Sequence, residues 1–257
     1  MYIYAIYATR EVITVPSQPK SQSDQTKYVE CDDCSMNSVC QPVTTAKQSI
    51  NLSDSYLDRR IPAKTNNVLF QQSSPLTDIY AVSSGVFKLC QQTDDNNENI
   101  IGLRFPGELI GEDALYLKTY NYTAIAVGDS SVCKVSVEQM ASCGKLVPAV
   151  QQNLIELLSR QSHVKQRNFQ AYIGKKSADS LLAAFLLNII ERNADYTGLD
   201  DGIELPLSRN DVANFLGLRR ETLSRVFSKF QKEQLIQVEG KKIQILEQKK
   251  LIKLADF

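Results

Sequence analysis

Apolar and polar positions along this chain follow two rhythms. From about residue 60 to 140 they alternate in short runs closed by turn residues. IYAVSSGVFKLC alternates, DDNNEN reads as a hairpin tip, IIGLRF and PGELIGE resume the pattern, and TAIAVGDSSVCKVSV holds two strands around GDSS. A period of two puts successive side chains on opposite faces of a strand, so this half is expected to be an antiparallel roll or barrel.

The period then lengthens. Val147, Val150, Leu154, Leu157, Gln161, Val164 and Asn168 recur at steps of three and four residues. That spacing predicts a helix over residues 147–173, roughly 40 Å long at 1.5 Å per residue. Either it is one long helix packed on the roll, or these positions form a heptad seam against a second copy. Gln161 and Asn168 would weaken such a seam, which suits a dimer that forms conditionally. After GKKSADS, LLAAFLLNIIERNADY predicts a strongly apolar helix. SRNDVANFLGLRRETLSRVFSKF then gives a helix, a turn at Gly217 and a second helix, followed by two short strands joined by EGKK. Ser208 and Asp211 form a capping pair for the first of these helices. Helix, turn, helix and basic hairpin make a winged DNA-binding layout.

Residues 11–30 are rich in Ser, Gln, Lys and Pro without periodicity and read as a flexible tail. The expected organisation is therefore α+β: a tail with a cysteine loop over residues 1–45, a β-roll over 46–146, a long helix over 147–173 and a winged helix-turn-helix domain over 174–257.

Composition narrows the functions. The chain of 257 residues is 43% apolar, enough to bury a sizeable core, and its formal net charge is zero. The charge is unevenly spread: residues 205–257 carry eleven Lys and Arg against six Asp and Glu. On the second helix of the pair, Leu223, Val226, Phe227 and Phe230 share one face and leave Arg220, Glu221, Ser224 and Arg225 on the other. Arg reads guanine, Glu reads cytosine and Ser either, so this face is the candidate for base readout. Arg209, Lys229, Lys241 and Lys242 are candidates for phosphate contacts. No run of eighteen apolar residues occurs, so no membrane span is expected, and the opening MYIYAIYATR lacks the basic region of a secretory signal. The expected compartment is the cytoplasm. The one histidine, His163, and the absence of nucleotide-loop, zinc-protease or nucleophile-elbow motifs argue against an enzyme.

Six cysteines in a reducing compartment serve metal, catalysis or packing. CDDCSMNSVC, Cys31 to Cys40, places three thiols at C-x2-C-x5-C and leaves a soft-metal site one ligand short. Structural zinc and a redox-active C-x2-C pair are open alternatives. Glu30, Asp32 and Asp33 oppose a reactive thiolate, and around a metal cluster they are expected to lower its reduction potential.

CDDCSMNSVCQP, PGELIG, SSVCKV and SRNDVANFLGLRRETLSR together resemble the CRP/FNR transcription regulators from about Cys31 to the C-terminus, and among them the oxygen-sensing FNR branch. The resemblance implies a cyclic-nucleotide-binding-like roll, a dimerisation helix with its seam at Val150, Leu154, Leu157, Gln161, Val164 and Asn168, and a 4Fe-4S cluster held by Cys31, Cys34, Cys40 and Cys133. Cys90 and Cys143 have no matching role and are expected in the core. Partners implied are double-stranded DNA with palindromic TTGAT-like sites, RNA polymerase and a second copy. A zinc-stapled regulator that does not sense oxygen is the alternative. The family's Arg-Ser grip on a cyclic phosphate is replaced by Thr123 and Ala124, so no cyclic nucleotide is expected. Glu221, Ser224 and Arg225 fit the branch's E-x-x-S-R pattern, whereas Arg220 departs from it and points toward TGTGA-like half-sites.

Overall fold

The structure, a computed structural model, describes residues 28–34, 37, 43–44, 49–50, 57–93, 98–146, 148–170, 172–174, 177–197, 203–205 and 207–255. Cys40, the tail before residue 28 and residues 94–97 of the DDNNEN tip lie outside these residues, whereas Glu98 and Asn99 of that tip belong to a strand.

Two four-stranded antiparallel sheets form the roll. The first joins β3 (Leu57–Ala63), β10 (Ser130–Ser136), β5 (Asp78–Ser84) and β8 (Leu109–Ile110) in that order. The second joins β4 (Val68–Phe70), β9 (Thr123–Ala126), β6 (Phe87–Gln92) and β7 (Glu98–Arg104). A further short pair, β1 (Val43–Thr44) and β2 (Ser49–Ile50), stands apart from both. The alternation seen in the sequence decides what each face meets. Tyr80 and Val82 of β5 join Phe87 and Leu89 of β6 in the core between the sheets. Ile79 and Ala81, one residue out of phase, face outward with Leu109 and Val135 onto helices. Cys90 and Ile100 face outward from the second sheet into the core of the C-terminal domain.

After a single turn, α1 (Ala114–Leu117), two helices follow the roll: α2 (Val137–Leu146) and α3 (Pro148–Gln170). Helix α2 falls within the span expected to be roll. Pro148 opens α3, where a missing N–H costs nothing and the fixed φ is already helical.

Helix α4 (Ala178–Thr197) is buried almost all round from Leu182 to Ile189, as its apolar run requires. Helix α5 (Arg209–Phe215) and helix α6 (Arg220–Lys232) form the helix-turn-helix. The wing is β12 (Ile236–Glu239) with β13 (Lys242–Ile245), and β11 (Ile203–Glu204) adds a third strand beside β13 that alternation did not signal. Helix α7 (Gln248–Leu254) closes the chain and packs on α4.

Candidate functional site

Residues Cys31–Asp33 make one tight turn, closed by the Cys34 N–H donating to the Cys31 carbonyl at 3.3 Å. The segment lies along the roll. The Val29 N–H donates to the Ser83 carbonyl at 2.8 Å, and the Arg60 guanidinium stacks 4.8 Å from the centre of the Tyr28 ring. Cys133 sits at a register shift in β10, where Val132 faces Ile61 and Lys134 faces Asp58. Arg59 and Arg60 therefore oppose one residue, which is a β-bulge. Arg60 holds φ at +53°, and its N–H points at Cys133 Sγ from 3.5 Å.

Cys31, Cys34 and Cys133 line a common cavity of about 200 Å³ together with Arg59, Arg60 and Val82. Glu30 and Asp32 are exposed and are not part of its wall. Among the described residues the charged ones lining the cavity are Arg59 and Arg60; the side chain of Asp33 lies outside them. Among the described residues no three His, Cys, Asp or Glu side chains converge on one ion position. The three thiols surround a space rather than a point. Cys90 is elsewhere, in the core beneath the C-terminal domain, where burial, with Glu98 adding to it, pushes its thiol up to about 12. The side chain of Cys143 lies outside the described residues.

The cysteine loop also touches the long helix. Arg160 Nη1 donates to the Cys34 carbonyl at 3.3 Å, and Cys34, Cys133, Leu154 and Leu158 pack on the same apolar cluster as Leu157.

In the C-terminal domain the capping pair is present in both directions. Ser208 Oγ accepts from the Asp211 N–H, and Asp211 Oδ2 accepts from the Ser208 N–H, each at 3.1 Å. Helix α5 ends with Gly217 at φ +64°, where the Leu218 N–H reaches the Ala213 carbonyl, a close that needs the left-handed backbone glycine supplies. The turn delivers α6 with Leu223, Val226, Phe227 and Phe230 buried and Arg220, Glu221, Ser224 and Arg225 exposed. Lys241 and Lys242 are exposed at the wing turn. Arg209 is half-buried against the Phe227 ring, 3.4 Å from its centre, and burial lowers its pKa. Lys229 is engaged by Asp179, so a phosphate contact there requires exchanging one anion for another.

This domain is fixed to the roll. Asn214 donates to the Glu98 carbonyl at 2.8 Å and accepts from the Ile100 N–H at 2.6 Å, capping β7, an edge strand. Lys88 pairs with Asp211 at 3.0 Å. Arg192 of α4 grips Glu108 of the PGELIG turn through two nitrogens at 2.6 and 2.8 Å, and donates to the Leu103 carbonyl at 2.7 Å.

Residues 60–145 match the cyclic nucleotide-binding domain family, and residues 182–254 match the Crp-like helix-turn-helix domain family. The transcriptional activator protein FnrA of Stutzerimonas stutzeri is 33% identical, with 89% of this chain and 93% of the relative covered. The transcriptional activator protein anr of Pseudomonas aeruginosa is 34% identical over 88% of this chain and 92% of its own length. The fumarate and nitrate reduction regulatory protein of Vibrio cholerae is 31% identical, covering 88% and 90%. The chain belongs to the CRP/FNR family, in its FNR branch. FixK2 from Bradyrhizobium japonicum shares the fold at a TM-score of 0.65 and 21% identity, covering 76% of this chain and 96% of that one. As an FNR-type chain it is a transcription regulator with a DNA-binding helix-turn-helix, not an enzyme. No described helix is long and apolar enough to cross a membrane.

Of the seam expected on α3 of this FNR-branch protein, the described side chains of Leu154, Leu157 and Gln161 lie against the chain's own roll. Leu157 is 0% exposed and Gln161 2%, both turned into their own roll, and Leu154 is half-buried beside them. Gln161 Nε2 donates to Glu112 Oε1 at 3.3 Å, and Lys165 pairs with the same oxygen at 2.5 Å. The outer sheet face competes for the helix's best apolar stripe and takes it. The side chains of Val150, Val164 and Asn168 lie outside the described residues. The stripe left facing outward holds Ile155, 65% exposed, and Phe169, 68% exposed, two heptads apart with exposed Ser162 midway and half-buried Leu158 beside it.

Proposed function

We propose that this FNR-branch regulator responds to oxygen through a 4Fe-4S cluster held by Cys31, Cys34, Cys40 and Cys133. The observation that carries the reading is the shared cavity: Cys133, far along the chain, lines the same 200 Å³ space as Cys31 and Cys34. Thiols arranged around a space suit a polynuclear group, in which each thiolate binds a different iron, better than a single zinc ion. Such a cluster would supply an oxygen-labile cross-link between the loop and strand β10.

The chain's own residues carry that restraint onward. Arg160 ties the Cys34 carbonyl to α3, and Leu154 and Leu158 pack beside both cysteine positions. With the loop held, the outward stripe of Ile155, Leu158, Ser162 and Phe169 pairs with the same stripe of a second copy, in a heptad arrangement. The paired domains then present two copies of α6 to half-sites about 34 Å apart, on TTGAT-like palindromes in the cytoplasm, where RNA polymerase is the expected partner. When the thiols no longer share a ligand, the loop loses that restraint and the short seam is too weak alone. No cyclic nucleotide takes part in this reading, since the roll interior is filled by aromatic side chains, with Phe70 stacked on Tyr120 at 3.6 Å.

The test is anaerobic purification with a visible spectrum and iron and sulfide analysis of the parent and of Cys133→Ser. A coloured parent and a colourless, non-DNA-binding variant are expected. A colourless parent carrying zinc contradicts the reading.

A further inference from the structure

Arg59 and Arg60 form the two-residue side of the bulge opposite Cys133. Both residues are exposed, yet both line the cysteine cavity, and Arg60 adopts the left-handed backbone that non-glycine residues avoid. The conformation has one visible result: it turns the Arg60 N–H toward Cys133 Sγ at 3.5 Å. The Cys133 sulfur therefore faces a backbone N–H donor.

We propose that the Arg59–Arg60 bulge is the anion-stabilising wall of the cysteine pocket, which raises the reduction potential of the group bound there. This inference rests on the cluster reading above and adds a polarity to it. A cluster ligated by thiolates is a net anion, and one-electron reduction makes it more negative. Positive charge on the wall and an N–H donor to a ligating sulfur both favour the reduced form. The carboxylates of Glu30 and Asp32 act in the opposite direction, but both are exposed and neither lines the cavity. Arg60 also stacks on Tyr28, so the cation that faces the pocket holds the cysteine segment in place.

The experiment is an anaerobic reductive titration of the full chain, followed in the visible spectrum, with iron content and far-ultraviolet circular dichroism as second readouts. Replacing both residues, Arg59→Gln with Arg60→Gln, is expected to shift the oxidised-to-reduced ratio at a fixed potential about tenfold, or ~59 mV for one electron. The pair Arg59→Lys with Arg60→Lys should stay close to the parent. Arg60→Gly keeps the backbone conformation and the N–H while removing one cation, and is expected to give part of the shift; it also decides the matter if the double Gln variant does not fold. A folded double Gln variant that holds less iron than the Lys control supports the proposal, since the same charge then retains the group. A double Gln variant at the parent's potential with full iron overturns it, as does a Lys pair that falls as far as the Gln pair. A parent chain with no cluster overturns the cluster reading, and this inference falls with it; a coloured parent whose variants do not move overturns this inference alone.

Discussion

The roll meets its neighbours at two junctions of opposite construction. The cysteine loop meets it through the Val29 bond to Ser83, the Arg60 stack on Tyr28 and the packing of Cys34 beside α3, where Arg160 donates to the Cys34 carbonyl. The helix-turn-helix domain is fused to it by a continuous apolar core containing Cys90, Ile100, Leu103 and Phe105, with Arg192 and Glu108 locked beneath. An exposed hydrogen bond such as that of Arg160 to Cys34 contributes about 0.5–1.5 kcal/mol, so the first junction, with its few described contacts, opens at smaller cost than the second. The second opens only with the fold. A sensing segment has to come from the less stable part of a protein, and here the readout is mounted on the more stable part. On the proposed reading, the signal leaves the pocket through α3 rather than by swinging the reading head.

The largest expected effect is at the rigid junction. Glu108→Ala leaves Arg192 buried without its partner and should cost about 3–5 kcal/mol in urea unfolding. Roll and C-terminal domain should still unfold in one transition, and two separated transitions in the parent chain would break the comparison. Arg160→Ala, at the loose junction, should cost no more than about 1 kcal/mol.

The two faces of α3 provide the next contrast. Gln161→Leu removes a donor from buried Glu112 and should destabilise the chain by about 1–3 kcal/mol without strengthening self-association. A residue in a seam would behave the other way. Phe169→Lys should leave urea stability within about 0.5 kcal/mol and weaken self-association at least tenfold by sedimentation. Equal association of Phe169→Lys and the parent would remove the outward stripe from the dimer.

On the reading head, Arg220→Val should cost about 1–3 kcal/mol on the preferred half-site and relax selectivity at one position. A uniform loss on every sequence, with a salt slope smaller by about one, would make Arg220 a phosphate contact instead.

The smallest effect concerns pH. Burial alone would raise the Asp211 carboxyl, but hydrogen bonds from Ser208 and Lys88 outweigh it and hold its pKa below the ordinary range. A carboxyl depressed in the folded state contributes stability above its unfolded pKa of about 3.9, and that contribution is lost as pH falls through the lower folded value. Asp211→Asn should flatten this part of the acid-stability curve; an unchanged curve would show that the Lys88 pair does not hold the junction.

What was legible in the sequence follows the strength of each local pattern. Leu223, Val226, Phe227 and Phe230 leave α6 one possible buried face, and Ser208 with Asp211 three residues apart marks the start of α5 unambiguously. Helix α3 carries apolar residues on both faces, so periodicity alone could not say which stripe the roll takes and which it leaves. Arg160 with Cys34, Arg192 with Glu108 and Asn214 with β7 join residues 126, 84 and at least 114 positions apart, separations at which no periodicity survives. Nor does any residue type announce the bulge at Arg60, where a glycine would have been the usual signal. Family resemblance, not the spacing of CDDCSMNSVC, is what points to Cys133 as the proposed fourth thiol.

The most direct test of the coupling is anaerobic sedimentation of the full chain followed at two wavelengths, one for protein and one for the cluster, before and after a measured dose of air. The account predicts that the coloured species sediments as a dimer and that monomer appears in proportion to the colour lost. A dimer fraction that does not change while the colour disappears would contradict it.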